Sequence, residues 1–207
     1  MIIKDIIREF YRNLRPFKIS GKSNAIKIGK PRHKHNFFIN IKGNNNRVII
    51  GERCRLDNLT ITINGDNNHI VFDENVKFRG PCTIIAEGNS KLNIGSETGV
   101  RGVTFILKDA SISIGKRCMF SYNILLRNHD SHKVINTVTG NVTNLAKDII
   151  LHDHIWLAQN CTILKGVEIG KNSIVAFGAI VTKNCPPNSV IAGCPAKVVA
   201  NNITWDY

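Results

Sequence analysis

Two histidines, His129 and His132, flank Asp130 and Ser131 in the stretch LLRNHDSHKVIN, residues 125–136. A neutral imidazole accepts a proton near neutral pH, its reference pKa being about 6.5, and it can also ligate a metal. A second pair, His152 and His154, alternates about Asp153, which would put both rings on one face of an extended segment. Asp130 has two readings at this stage: it orients a ring nitrogen, or it closes an Asx-turn. The six cysteines, Cys54, Cys82, Cys118, Cys161, Cys185 and Cys194, contain no C-x-x-C pair, so neither a zinc ribbon nor a disulfide framework is expected, and no metal.

What positions the histidines is a repeat. From residue 151 the chain divides into sixes: LHDHIW, LAQNCT, ILKGVE, IGKNSI, VAFGAI, VTKNCP. The first place holds Leu151, Leu157, Ile163, Ile169, Val175 and Val181; the fifth holds mostly small residues. A helix of period 3.6 cannot keep a strict six on one face, and a lone strand has no use for a small residue in each six. A triangular coil explains both: each six makes one flat side and one corner, and three sides close a turn. The aliphatic residue fills the interior, and coils stack on one another. Further upstream, IGERC, FDENV, IGSET and IGKRC begin at Ile50, Phe72, Ile94 and Ile114, spaced by 22, 22 and 20 residues. Turn sequences rich in Gly, Asn and Asp precede them, as a coil of three sixes with a small corner loop requires. Five of the cysteines fall on the small place and read as core packing.

The sixes run through Ile114, Phe120 and Leu126 and resume at Leu151. The polar, turn-rich interval 127–150 holds His129 and His132, so it reads as a loop leaving a rigid scaffold, where function is often carried. Trp156, sixth in its six, belongs beside a corner rather than in the interior.

Composition bounds the partners. Of 207 residues, 43% are apolar, which suits a folded chain, and 28 Lys and Arg against 15 Asp and Glu leave a formal charge of +13. Such a surface favours anions, although no aromatic-interleaved basic motif singles out nucleic acid. No run of eighteen apolar residues suggests a transmembrane helix. The opening residues lack a signal-peptide pattern, so a cytoplasmic protein is expected. Residues 2–14 carry a helical stripe, Ile3, Ile6, Ile7, Phe10 and Leu14, suited to capping the end of the coils or, as a second option, to lying on a membrane surface. The expected organisation is a helical segment over 1–20, a coil domain over 21–199 with its loop at 127–150, and a tail over 200–207.

These sixes resemble the hexapeptide-repeat acyltransferases. Residues 147–199 are similar throughout to the galactoside, maltose and xenobiotic acetyltransferase branch, and look nearest to capsule, O-antigen and sialic-acid O-acetyltransferases. The ordered set is a loop histidine, D-H-I-W, V-T-K-N-x-P-P-N and G-x-P-A-K. His152 and Ala158 stand where that family usually has glycine, and Cys194 where it has Asn. The resemblance implies an all-β, left-handed parallel β-helix, a homotrimer with clefts between subunits, and acetyl transfer from acetyl-CoA to a saccharide hydroxyl. It assigns the general base to His132 and a wall or hydrogen-bond donor to Trp156. Gln159, Ala176, Phe177, Thr182, Lys183 and Lys197 match positions along the coenzyme groove. His129 and His154 are candidate contacts for the acceptor. The excess of positive charge points to an acidic surface glycan.

Other readings within the same architecture are a serine-type acetyltransferase, a γ-class carbonic anhydrase and a non-catalytic scaffold. A serine-type enzyme normally carries a long helical N-terminal domain. The carbonic anhydrase needs an H-x4-H pair, and the pairs here are H-x2-H and H-x-H.

Overall fold

A computed structural model describes residues 16–206, so the stripe over 2–14 lies outside the described residues. The strands form three sheets of eight, seven and nine strands, parallel except for the last strand, and up to the final two strands the chain visits the first, second and third sheet in turn. The product is a triangular β-solenoid. No helix occurs among the described residues, and none is therefore long and apolar enough to cross a membrane.

Register reproduces the repeat. Phe17 pairs with Ile39 and Phe38 with Thr60, 22 residues on, whereas Thr162 pairs with Ile180, 18 residues on. Because side chains alternate along a strand, every second residue points inward, and a column of aliphatic and aromatic residues fills the interior behind each face. On the first face these are Ile39, Ile61, Ile84, Phe105, Leu126, Ile163 and Val181, stacked in register and buried. Comparable columns run from Ile50 to Ile169 on the second face and from Leu56 to Ile191 on the third. Cys54, Cys82, Cys118, Cys161 and Cys185 are free and buried; Cys194 is exposed.

Corners need positive φ. Between the second and third faces the turn residue is Arg53, Asn75, Glu97, Arg117, His154, Asn172 and Asn188 in successive coils, with φ between 54° and 64°. Each of these amides donates to a carbonyl one coil earlier, which offsets the strain. Another corner carries Gly43 at φ 137°, where a Cβ would lie 2.0 Å from the Gly65 carbonyl oxygen. Inside the solenoid, Asn46 donates through Nδ2 to Asn24 Oδ1, and Asn68 to Asn46 Oδ1, each at 3.0 Å.

The boundaries differ from the sequence expectation at both ends. The strand Phe17–Ser20 pairs with Phe38–Lys42, so the solenoid starts inside the segment assigned to a helix. At the other end Ala196–Asn201 runs antiparallel to Ser189–Gly193 and completes the third face, and Trp205 beyond it is buried. The expected tail is thus part of the fold, because its strand hydrogen-bonds and its indole packs.

Candidate active site

The first face ends at Arg127 in one coil and the second face resumes at Ile149, so residues 128–148 leave the solenoid at the corner between those faces. Side chains tie this loop down. Asn144 Nδ2 donates to the His132 carbonyl at 2.8 Å and to Asp130 Oδ2 at 2.7 Å, and Asn144 Oδ1 accepts from the Val134 amide at 2.7 Å. Lys165, on the next coil, pairs with Asp130 and donates to the Asn144 carbonyl at 3.0 Å. Arg127 donates to the His129 carbonyl at 2.8 Å and to Ser131 Oγ at 2.6 Å. The hydrogen bond from Lys165, then that from Asn144, holds the Asp130 carboxyl below its ordinary range. The Asp130 carboxylate therefore orients neither histidine ring and instead anchors the loop; only the Asp130 main-chain carbonyl meets a ring nitrogen, that of His129.

The consequence is a fixed backbone under His132 with an exposed side chain. Its ring makes no hydrogen bond among the described residues. His129 differs: it is buried, and Nδ1 lies 2.9 Å from the Asp130 carbonyl oxygen. A carbonyl only accepts, so Nδ1 carries the hydrogen and Nε2 of the neutral ring is a lone pair. That Nε2 is buried with no hydrogen-bond partner among the described residues. The single chain does not present His129 for the acceptor contact expected of it.

Trp156 opens the strand Trp156–Leu157 on the third face, beside the corner with the second face, between Met119 and Ile174 of the adjacent coils. Leu157 points inward, so alternation turns Trp156 outward, 37% exposed. His154 does not share a face with His152, because its φ of 58° makes the segment a turn. His152 bonds Glu168 at 2.7 Å, while His154 Nδ1 lies 3.1 Å from Asn172 Oδ1. Trp205 stacks on His154 and stands 6.1 Å from Trp156 between ring centroids. Sequence reasoning missed Trp205 and Asn144, which lie outside the sixes, and Lys165, which fills a variable place in the six ILKGVE.

The residues assigned to the coenzyme occupy three places. Gln159, Ala176 and Phe177 are on the corner between the third and first faces, Thr182 and Lys183 on the corner between the first and second, and Lys197 on the last strand of the third face. His132 and Trp156 are likewise apart in one chain, with the second face between the loop and the tryptophan. Among the described residues no group of three or more His, Cys, Asp and Glu side chains could hold a metal ion.

No protein-family model matches the chain. The polysialic acid O-acetyltransferase of Escherichia coli O1:K1 / APEC is 33% identical over 123 residues, 59% of this chain and 40% of that protein. Its namesake in Neisseria meningitidis is 34% identical over 125 residues, 60% of this chain and 58% of that protein. The matched part thus spans about half the length of these curated relatives. Likeness in three dimensions extends further. The crystal structure of the polySia-specific acetyltransferase NeuO matches with a TM-score of 0.87 at 31% identity, over 92% of this chain and 88% of that one. That of the polysialic acid O-acetyltransferase OatWY matches with a TM-score of 0.85 at 32% identity, over 93% and 92%.

Proposed function

The chain belongs to the hexapeptide-repeat O-acetyltransferases that include the polysialic acid enzymes, and from that premise we propose that it moves an acetyl group from acetyl-CoA to a hydroxyl of an acidic saccharide. The observation that carries this reading is the likeness to two polysialic acid acetyltransferases over about nine-tenths of both chains, with His132 clamped on a loop and Trp156 turned outward.

In this mechanism the His132 imidazole takes the proton as the acceptor oxygen attacks the thioester carbon. The new C–O bond forms, the C–S bond breaks, and the proton passes to the departing thiolate. Trp156 walls the acceptor, and its indole N–H is available to the developing oxyanion, where a preorganised donor acts most strongly. No acyl-enzyme is required; five of the six thiols are buried. Lys183 and Lys197 are exposed cations suited to coenzyme phosphates, with Thr182 as a hydroxyl donor beside Lys183 and Gln159, Ala176 and Phe177 along the pantetheine. The use of acetyl-CoA fits a cytoplasmic reaction.

The site is shared between copies of the chain. His132 and Trp156 belong to different corners and faces of a prism, so a cleft holding both is most simply made by the loop of one subunit against the third face of the next. Val134, Ile135, Val138 and Leu145 are exposed on that loop, an apolar surface that a neighbour would cover. A homotrimer then contains three equivalent clefts.

The test is acetylation of a sialic acid oligomer with labelled acetyl-CoA. His132→Ala should lower kcat by at least about 10²-fold, with the unfolding temperature unchanged because the ring is exposed. Co-expressed His132→Ala and Trp156→Ala chains should regain activity that neither homomer has, since mixed trimers contain intact clefts. Wild-type turnover by the histidine variant would overturn the assignment of the base.

A further inference from the structure

The outward column of the third face passes in register through His33, Arg55, Lys77, Gly99, Met119 and Trp156. Just beyond this column, Arg79 and Arg101 also stack: the Arg79 amide donates to the Val100 carbonyl at 2.9 Å and the Arg101 amide to the Phe120 carbonyl at 3.1 Å. Lys77, Arg79 and Arg101 therefore gather around Gly99. A Cβ on Gly99 would meet nothing within 4 Å, so its bare backbone is an open floor. The result is a groove of about 160 Å³ bounded by these three cations, Glu97 and Met119.

Two features point to an anionic, extended ligand. Nearby Arg53 and Arg55 are paired with Glu74 and Asp57, whereas Lys77, Arg79 and Arg101 form no ion pair among the described residues. These three cations on two adjacent coils outnumber the one carboxylate of the groove, Glu97, and repel one another, and an anion would relieve that. Coils stack at about 4.8 Å, so Gly99 lies about 10 Å from the level of Trp156. The groove is on the N-terminal side of the tryptophan, while the residues assigned to the coenzyme come from later coils. That leaves the groove to the acceptor.

We infer that this groove is an extended subsite for a polyanionic glycan, whose units beyond the one being acetylated lie along the third face with their carboxylates toward Lys77, Arg79 and Arg101. The inference rests on the reading of the chain as an acetyltransferase for acidic saccharides.

The experiment compares acetylation of a disialoside and of long polysialic acid at low and high salt. The wild type should favour the long chain in kcat/KM, and salt should erode the advantage. In the variant K77Q/R79Q/R101Q the advantage should fall by about tenfold, with kcat/KM for the disialoside and KM for acetyl-CoA unchanged. K27Q/R47Q/K91Q removes equal charge from the second face and should behave as wild type. Arg101→Gln alone, at an exposed corner, gives the same comparison if the triple variant does not fold. An undiminished advantage in the first variant, or equal losses in both triple variants, overturns the subsite. A raised KM for acetyl-CoA would assign the groove to coenzyme phosphates and overturn it too. Acetylation of the disialoside with no gain from chain length sinks the subsite but leaves the activity standing; no acetylation of any sialoside sinks both.

Discussion

Trp205 stacks on His154 with ring centroids 4.1 Å apart and planes 10° from parallel, and its indole Nε1–H donates to the His154 carbonyl at 2.9 Å. His154 is the positive-φ turn residue two positions before Trp156, which opens its strand. The end of the chain thus braces the turn that aims a proposed catalytic side chain.

Removing that brace should matter locally. Trp205→Ala is expected to cost about 3 kcal/mol, as large buried aromatics do, and because solenoid stability is a sum of neighbour terms the loss should concentrate in the last coils. Hydrogen exchange should quicken around 152–157 and 170–175 while the N-terminal coils keep their protection. Trp205→Phe, which keeps a stacking ring but lacks the indole donor, should fall between the two. Uniform or absent change in exchange would show that the contact braces nothing.

Asn144 clamps the His132 carbonyl without approaching any proposed reacting atom. Asn144→Ala frees the His132 carbonyl and leaves Asp130 held by Lys165 alone, so kcat should fall between about ten- and a hundredfold, the range expected for a misplaced group. KM for acetyl-CoA should hold, because the clamp lies on the loop and not on the coenzyme corners. An equal rise in that KM would mean the loop serves the coenzyme instead.

Asp57 makes the stability of the N-terminal coils sensitive to acid. Burial alone would raise its pKa, but hydrogen bonds from His33 and Arg55, each at 2.5 Å, outweigh it and leave the pKa lowered. A carboxyl with a depressed folded pKa adds stability that is complete above its unfolded value, about 3.9, and fades as pH drops through the folded value. Thermal unfolding should therefore show an acid limb below about pH 4 that is flatter in Asp57→Asn, with the variant less stable at neutral pH. An identical acid limb in both proteins would remove Asp57 from the account.

Thiol reactivity should be confined to one residue. Burial pushes the Cys82 thiol up to about 11 and those of Cys118 and Cys161 to about 12, and raises Cys54 and Cys185 as well. Thiolates are the reactive form, so iodoacetamide at pH 8 should label Cys194 in the native protein and the other five only on unfolding. Rapid modification of Cys118 or Cys161 would contradict the packing role. Cys194→Ser should remain active, and it would lower the thiol background in assays of coenzyme release.

The sequence by itself determined the solenoid, because a strict six with aliphatic residues in one place admits no helix and no isolated strand. It also determined where the order breaks, and therefore that His132 stands on a loop. Even the column Arg55, Lys77 and Gly99 is visible as a spacing of 22 residues. What spacing cannot say is which corner a residue turns, since an inserted loop shifts register without marking a face. Only the tertiary structure put His132 and Trp156 on separate edges of the prism, turned His129 inward and bent His154 through a corner. Only the tertiary structure, too, brought Trp205 back from 51 positions along the chain to lie on His154. These contacts depend on stacking across coils and on a chain end folding back. Both are decided by packing between distant residues, and neither leaves a period in the sequence.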